Sequence, residues 1–353
     1  MKTIYLLQNN EYNKLDEKAT YILDSNIVNL LKDLFYKPQK LNEEERKDLE
    51  ELLNLLKDQN VIQKIGIAEY AWDFQEYSQD ETKAQKINYA LDLLLKHDEE
   101  HLKRIFGELK ETSYSKHKVK SKEKHDDKNL SSNPEVNQEI LPTIAVLLKF
   151  YGLLGDDIDN IKKGLLPVDK RRNIYKEIIK FVDIEMHIIP EYELWCITEI
   201  LFNKDKNRDN ILELLKLKGK SLTGKKKREK VWNAGWDIFF IKMLNYSASR
   251  YMGEEILDNW DIKNPVLITM DKNLYRIGNE MINGGEKKPK HINGKTEEVC
   301  GLHFPNISDE DYEFIEDMMW LLHNVNKEER HKFMKKTNLE DHCKEIVKGL
   351  DTK

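Results

Sequence analysis

Cysteine is scarce. The chain of 353 residues has three, Cys196, Cys300 and Cys343, far apart and with no CxxC pair among them. That excludes a disulfide framework and predicts a reduced, cytoplasmic compartment. Long apolar runs are also missing. No stretch approaches the roughly 18–20 apolar residues of a membrane span, and the run within Met1–Gln8 is too short for a signal peptide. A soluble chain with no membrane partner is expected. Nor is there an excess of positive charge: 58 Lys and Arg face 64 Asp and Glu, for a net charge of -6 and a pI of about 6.0. A globally basic nucleic-acid binder is thereby excluded, and any such site must be a local patch. Internal repeats are absent.

What is present is a highly charged chain (35% charged, 39% hydrophobic) with enough apolar content for a real core. Its length predicts one large domain with an insertion, or two domains. Two distant segments stand out. Tyr21-Ile22-Leu23-Asp24-Ser25-Asn26 and Pro265-Val266-Leu267-Ile268-Thr269-Met270-Asp271-Lys272-Asn273-Leu274 each run from an apolar strand pattern to an aspartate and then to a helical pattern. Acids at the carboxyl ends of strands in an open α/β sheet sit where such sheets place ligands. Two that converge repel each other unless a cation holds them. Each could instead be a plain helix N-cap.

After Asp24, helical spacing at Ile27, Leu30, Leu31, Leu34 and Phe35 predicts a helix. Residues 41–58 predict another, with Asn42 as N-cap. Residues 61–67 read as a strand or strand-turn leading into a helix that begins near Ala68 and carries Glu69, with Asp73 or Glu76 as alternatives to it. From about 80 to 215 helical patterns dominate (82–109, 140–154, 171–185, 190–202 and 207–217), interrupted by a polar loop near 110–136. Residues 216–230 are basic and glycine-containing, and read as a loop. Lys225, Lys226, Lys227, Arg228 and Lys230 in it are candidates for nucleic-acid contact, weighed against an ordinary solvated loop. Asp237 follows near the start of a strongly apolar helix. Trp232 and Trp236 could stack bases or be core. His97 and His101 have i,i+4 spacing, which can bind zinc, yet a solvated helix face explains them as well. Cys196 reads as core. Two helices, 309–323 and 338–349, are expected near the carboxyl end.

The ordered set Leu23-Asp24-Ser25-Asn26, Ile67-Ala68-Glu69-Tyr70, Gly235-Trp236-Asp237-Ile238 and Ile268-Thr269-Met270-Asp271-Lys272-Asn273-Leu274 resembles the PIN-domain family of metal-dependent nucleases, which includes the toxin ribonucleases of toxin–antitoxin pairs. The resemblance covers roughly 20–75 and 230–285. It implies an α/β fold: a PIN-like parallel sheet flanked by helices, with a large helical insertion. The expected division is 1–79 with 230–300 as a discontinuous catalytic core, 80–229 as the insertion and 301–353 as a helical extension. The resemblance further implies that Asp24, Glu69, Asp237 and Asp271 hold Mg²⁺ or Mn²⁺ and carry catalysis, supported by Asn26, Thr269 and Asn273. The implied activity is endonucleolytic cleavage, of RNA before DNA. A toxin or phage-defence role would add an inhibitor or defence-complex partner, and an oligomer is possible. Two alternatives stand beside it: a non-catalytic interaction or regulatory module whose acids are caps, and a structure-specific DNA nuclease.

Overall fold

The computed structural model describes residues 4–9, 19–73, 78–96, 134–204, 206–217, 224–246, 262, 264–283, 287–292, 295–300 and 307–351. In chain order the elements are β1 (Tyr5–Gln8), β2 (Thr20–Leu23), α1 (Ser25–Tyr36), α2 (Glu43–Leu56), β3 (Asn60–Ile62), α3 (Lys64–Tyr70), β4 (Trp72–Asp73), β5 (Ser78–Gln79) and α4 (Glu81–Leu95). There follow α5 (Pro134–Leu154), α6 (Ile158–Lys162), α7 (Val168–Lys180), α8 (Glu191–Phe202), α9 (Lys206–Leu214) and α10 (Gly224–Tyr246). The chain then forms β6 (Pro265–Thr269), α11 (Lys272–Asn283), β7 (Lys287–Ile292), β8 (Lys295–Cys300), α12 (Asp309–Asn324), α13 (Lys327–Lys336) and α14 (Leu339–Asp351). The described part is mostly helical with a small mixed sheet, compatible with an α/β fold. No described helix is long and apolar enough to cross a membrane.

The chain divides into two compact units, 1–133 with 243–279, and 134–242 with 280–353. This differs from the division expected from composition. Helix α4 belongs with the first unit: its Ala84, Ile87, Ala90, Leu91 and Leu94 join the same apolar cluster as Leu23, Ile27, Leu31 and Ile268. Its polar texture is one solvated face, which composition alone reads as a change of domain. Residues 301–353 are likewise no separate extension, since they fall in the second unit together with 134–242.

The first unit is built on a four-stranded sheet in the order β1-β6-β2-β3. Strands β6, β2 and β3 are parallel, and β1 pairs antiparallel to β6. The residues before Thr20, to which the sequence assigned nothing, thus supply an edge strand. Strand β6 is buried at all five positions, Pro265 to Thr269, as expected of a strand in the interior of the sheet. Helix α1 buries Ile27, Val28, Leu31, Leu34 and Phe35 on one face. Helix α2 begins with a capping box, in which the Asn42 side chain accepts from the Glu45 amide and the Glu45 carboxylate from the Asn42 amide. The strand or strand-turn expected over 61–67 is shorter than that: only 60–62 is strand, and the helix, expected from near Ala68, already starts at Lys64. Ile65 and Ile67 look like strand residues but are fully buried on α3. Packing overrides their β preference.

The second unit is helical apart from the β7–β8 hairpin. Residues 224–230, expected as loop, form the opening turns of α10, because Lys, Arg and Glu are good helix formers. Arg172 donates from Nε and Nη2 to Asp311 Oδ1 at 3.0 and 2.8 Å, tying α7 to the start of α12. Helix α13 was not foreseen. Arg330 on it is buried and paired to Asp183.

Candidate metal centre

Register places the first two acids. Strands β2 and β6 run side by side with Leu23 opposite Ile268, and the Asp24 amide continues the ladder by donating to the Ile268 carbonyl at 3.0 Å. Asp24 therefore leaves β2 at the end where Thr269 closes β6. Both chains turn there into helices, α1 and α11.

Asp24 sits at the N-cap position of α1 but makes no side-chain cap bond. The plain-cap reading fails for it. Its Oδ2 accepts from Thr269 Oγ1 at 2.5 Å and from Asn26 Nδ2 at 2.6 Å, and its Oδ1 accepts from Ser25 Oγ at 3.4 Å. Asn26 also straps the two strand ends together, its Oδ1 accepting from the Met270 amide at 3.0 Å. Thr269 Oγ1 in turn accepts from the Asp271 amide at 2.9 Å. Asn26 and Thr269 thus hold the Asp24 carboxyl between them. For Asp271 the cap reading does hold: its Oδ1 accepts from the Asn273 and Leu274 amides at 2.8 and 3.0 Å. Asn273 meets it through its backbone amide.

Glu69 reaches the same place from α3. The means is Gly66, one turn earlier, where a Cβ would stand 2.2 Å from the Leu23 carbonyl oxygen and 3.1 Å from the Asp24 carbonyl carbon. Only a residue without a side chain lets α3 lie this close to the end of β2. Glu69 Oε2 then accepts from the Ser25 amide at 3.4 Å, and its carboxyl lies beside that of Asp24. Two carboxyls in such contact need a proton between them or a cation. The sequence carried a signal for this in Ile65-Gly66-Ile67-Ala68-Glu69, a glycine three residues before the acid. Gly66→Ala is expected to cost about 1–3 kcal/mol or more through overpacking against backbone, and to pull Glu69 away from Asp24. Thermal unfolding of the variant at wild-type temperature would refute the close approach.

Burial drives the Asp24 carboxyl above its ordinary value of 3.8, and the nearby Asp271 charge adds to this. Thr269, the Glu69 carboxyl and the Ser25 amide offset part of it. Acids perturbed in this way gather at functional sites and also in structural networks. Among the described residues, however, no group of three or more His, Cys, Asp or Glu side chains is placed so that it could hold a metal ion.

Asp237 belongs to the second unit, well inside α10, whereas the other three acids belong to the first. Its partner there is Lys216, with Nζ 2.8 Å from Oδ2. Arg228 and Lys230 are half-buried, and the side chains of Lys225, Lys226 and Lys227 lie outside the described residues, as do His97, His101 and Glu76 and the side chain of Asp73. Trp232 and Trp236 are fully buried, so base stacking by them is excluded and they are core. Cys196 is buried as expected, and burial followed by the charges of Glu193 and Glu199 pushes its thiol well up, out of reactive range. The chain matches no protein-family profile, no curated protein and no solved structure.

Proposed function

We propose that the first unit is a metal-dependent endonuclease centre built on Asp24, Glu69 and Asp271, of PIN-like type and acting on RNA. The single observation that supports this most is Asp24 itself. It is buried, makes no cap bond to the α1 backbone, and instead accepts from Asn26 and, across the sheet, from Thr269 at the end of β6. The all-oxygen donor set fits Mg²⁺ or Mn²⁺. Bound there, such an ion would offset the clustered negative charge, acidify a water and stabilise charge building on a phosphate. Thr269 and Asn26 fix the orientation of Asp24, and the α11 amides fix that of Asp271. Asp237 is held by Lys216 in its own unit, and this reading makes no use of it. The preference for RNA over DNA, and a toxin or phage-defence setting with an inhibitor partner, follow from the PIN-domain resemblance.

The test is cleavage of labelled single-stranded RNA and DNA by the full chain with Mn²⁺ and with EDTA. The expected result is cutting that requires Mn²⁺ and is faster on RNA. Preference for flapped DNA would favour the structure-specific nuclease instead. A second reading, a non-catalytic module, is favoured by Asp271, whose Oδ1 is used as a helix cap. No cutting, together with no change in melting temperature on adding Mn²⁺, would establish that one.

A further inference from the structure

Lysine and tyrosine interleave on the first unit, along helices α1 and α4. The Tyr70 ring, directly after Glu69, has Lys32 Nζ 4.8 Å and Lys83 Nζ 4.3 Å from its centroid. Lys32 also donates to the Tyr70 hydroxyl at 2.9 Å, and Lys83 to the Tyr70 carbonyl at 2.6 Å. One helical turn after Lys83, Lys86 Nζ stands 5.0 Å over the Tyr36 ring. One turn further, Tyr89 packs edge-on against Phe35 and leaves 45% of its surface exposed. The pattern is Lys83, Lys86, Tyr89 on α4 beside Asn29, Lys32, Tyr36 on α1, each at helical i,i+3 or i,i+4 steps. Lys32 is balanced by Asp33 at 3.2 Å. In a chain of net charge -6, three ammonium groups on two phenol rings form a local cationic strip, the kind of patch that overall charge leaves open. The strip shares a helix face with the acids' end of α1: Ser25, whose amide donates to Glu69, stands at the head of the i,i+4 and i,i+3 row Ser25, Asn29, Lys32, about 10 Å from Lys32 along the axis at 1.5 Å per residue.

We propose that this strip is a track for single-stranded nucleic acid, with Lys32, Lys83 and Lys86 taking backbone phosphates and the exposed Tyr89 ring stacking a base. Positive charge that follows a backbone, joined to aromatic faces that accept any base, is the chemistry of sequence-tolerant single-strand binding. Its lysines lie on the first unit with the three acids, unlike the basic run on α10. The inference deepens the nuclease reading, since a strand on this track would lead toward Asp24.

The experiment measures binding of a short labelled oligouridylate and oligothymidylate by fluorescence anisotropy in EDTA, over a range of salt, with cleavage measured separately in Mn²⁺. Lys83→Gln/Lys86→Gln, both at exposed positions, is expected to weaken binding about tenfold and to lower the salt slope by about 1.4, two contacts at about 0.7 each. Tyr89→Ala is expected to weaken it about tenfold and Tyr89→Phe to restore it, because stacking needs the ring and no hydroxyl. Circular dichroism melts confirm that each variant is folded. Wild-type affinity and slope in the double variant would overturn the track while leaving a cleaving enzyme intact. Track-dependent binding without any cleavage would keep the track and overturn the nuclease. No binding by the wild type overturns the track.

Discussion

Asp24→Asn is expected to lower metal-dependent cleavage about a thousandfold, which corresponds to about 4 kcal/mol of transition-state stabilisation, while the fold survives. The two strong bonds to the side chain both end on Oδ2. An asparagine can keep its carbonyl oxygen there and turn its amide toward Glu69, where a donor satisfies what two carboxyls otherwise contest. The stability effect has a defined sign. Burial raises the Asp24 carboxyl above 3.8, so the native state holds this proton more tightly than the unfolded chain does. Wild-type stability without metal therefore falls as pH rises from near 3.8 through the raised value. The metal-free variant should be at least as stable as wild type at neutral pH, with the gap closing as pH falls toward 3.8. Mn²⁺ should then stabilise the wild type, by about 2.7 kcal/mol at a hundred times its Kd, and leave the variant unmoved. Cleavage by Asp24→Asn at the wild-type rate would sink the site. A large loss of stability in the metal-free variant would show that Asp24 is structural.

Lys242→Ala is expected to destabilise the second unit by about 3–5 kcal/mol. The Lys242 ammonium lies 2.5 Å from Glu193 Oε1 and 3.0 Å from Thr143 Oγ1, and the Thr143 hydroxyl donates to the same Glu193 oxygen. Glu193 and Thr143 are fully buried and Lys242 nearly so. Removing the lysine strands a carboxylate whose second oxygen, Oε2, already makes no hydrogen bond among the described residues. The neutralising pair Lys242→Met/Glu193→Leu should recover most of the loss, since two apolar groups leave no charge behind. Urea unfolding followed by tryptophan fluorescence checks both variants. A loss under about 1 kcal/mol in Lys242→Ala would mean the pair is solvated like an ordinary surface bridge.

Much of the first unit was legible beforehand. Helical spacing after Asp24 and the Asn42 cap located α1 and α2 because both signals are local. The apolar run of β6 announced a strand for the same reason. The errors lie where distant contacts overrule local preference. Ile65 and Ile67 prefer strands, yet Gly66 lets them form a helix pressed onto the end of β2. The lysine-rich segment before Asp237 looked like a loop, yet its residues favour helix once α10 has an apolar half to anchor it. Composition placed a domain boundary near residue 80, where the apolar face of α4 in fact closes the first unit's core.

The sequence by itself determined which acids follow strands, since a short apolar run ending in aspartate can be read in a few residues. It also determined the absence of a global basic surface, which is a matter of counting. Only the tertiary structure decided which acids are neighbours. Parallel pairing of β2 with β6, across more than two hundred residues of chain, sets Asp24 beside Thr269, and the close approach at Gly66 adds Glu69. Asp237 has a motif as good as the others, yet its local partner is a lysine in the second unit. Side chains far apart in sequence meet through packing of whole elements, and no local pattern encodes that meeting.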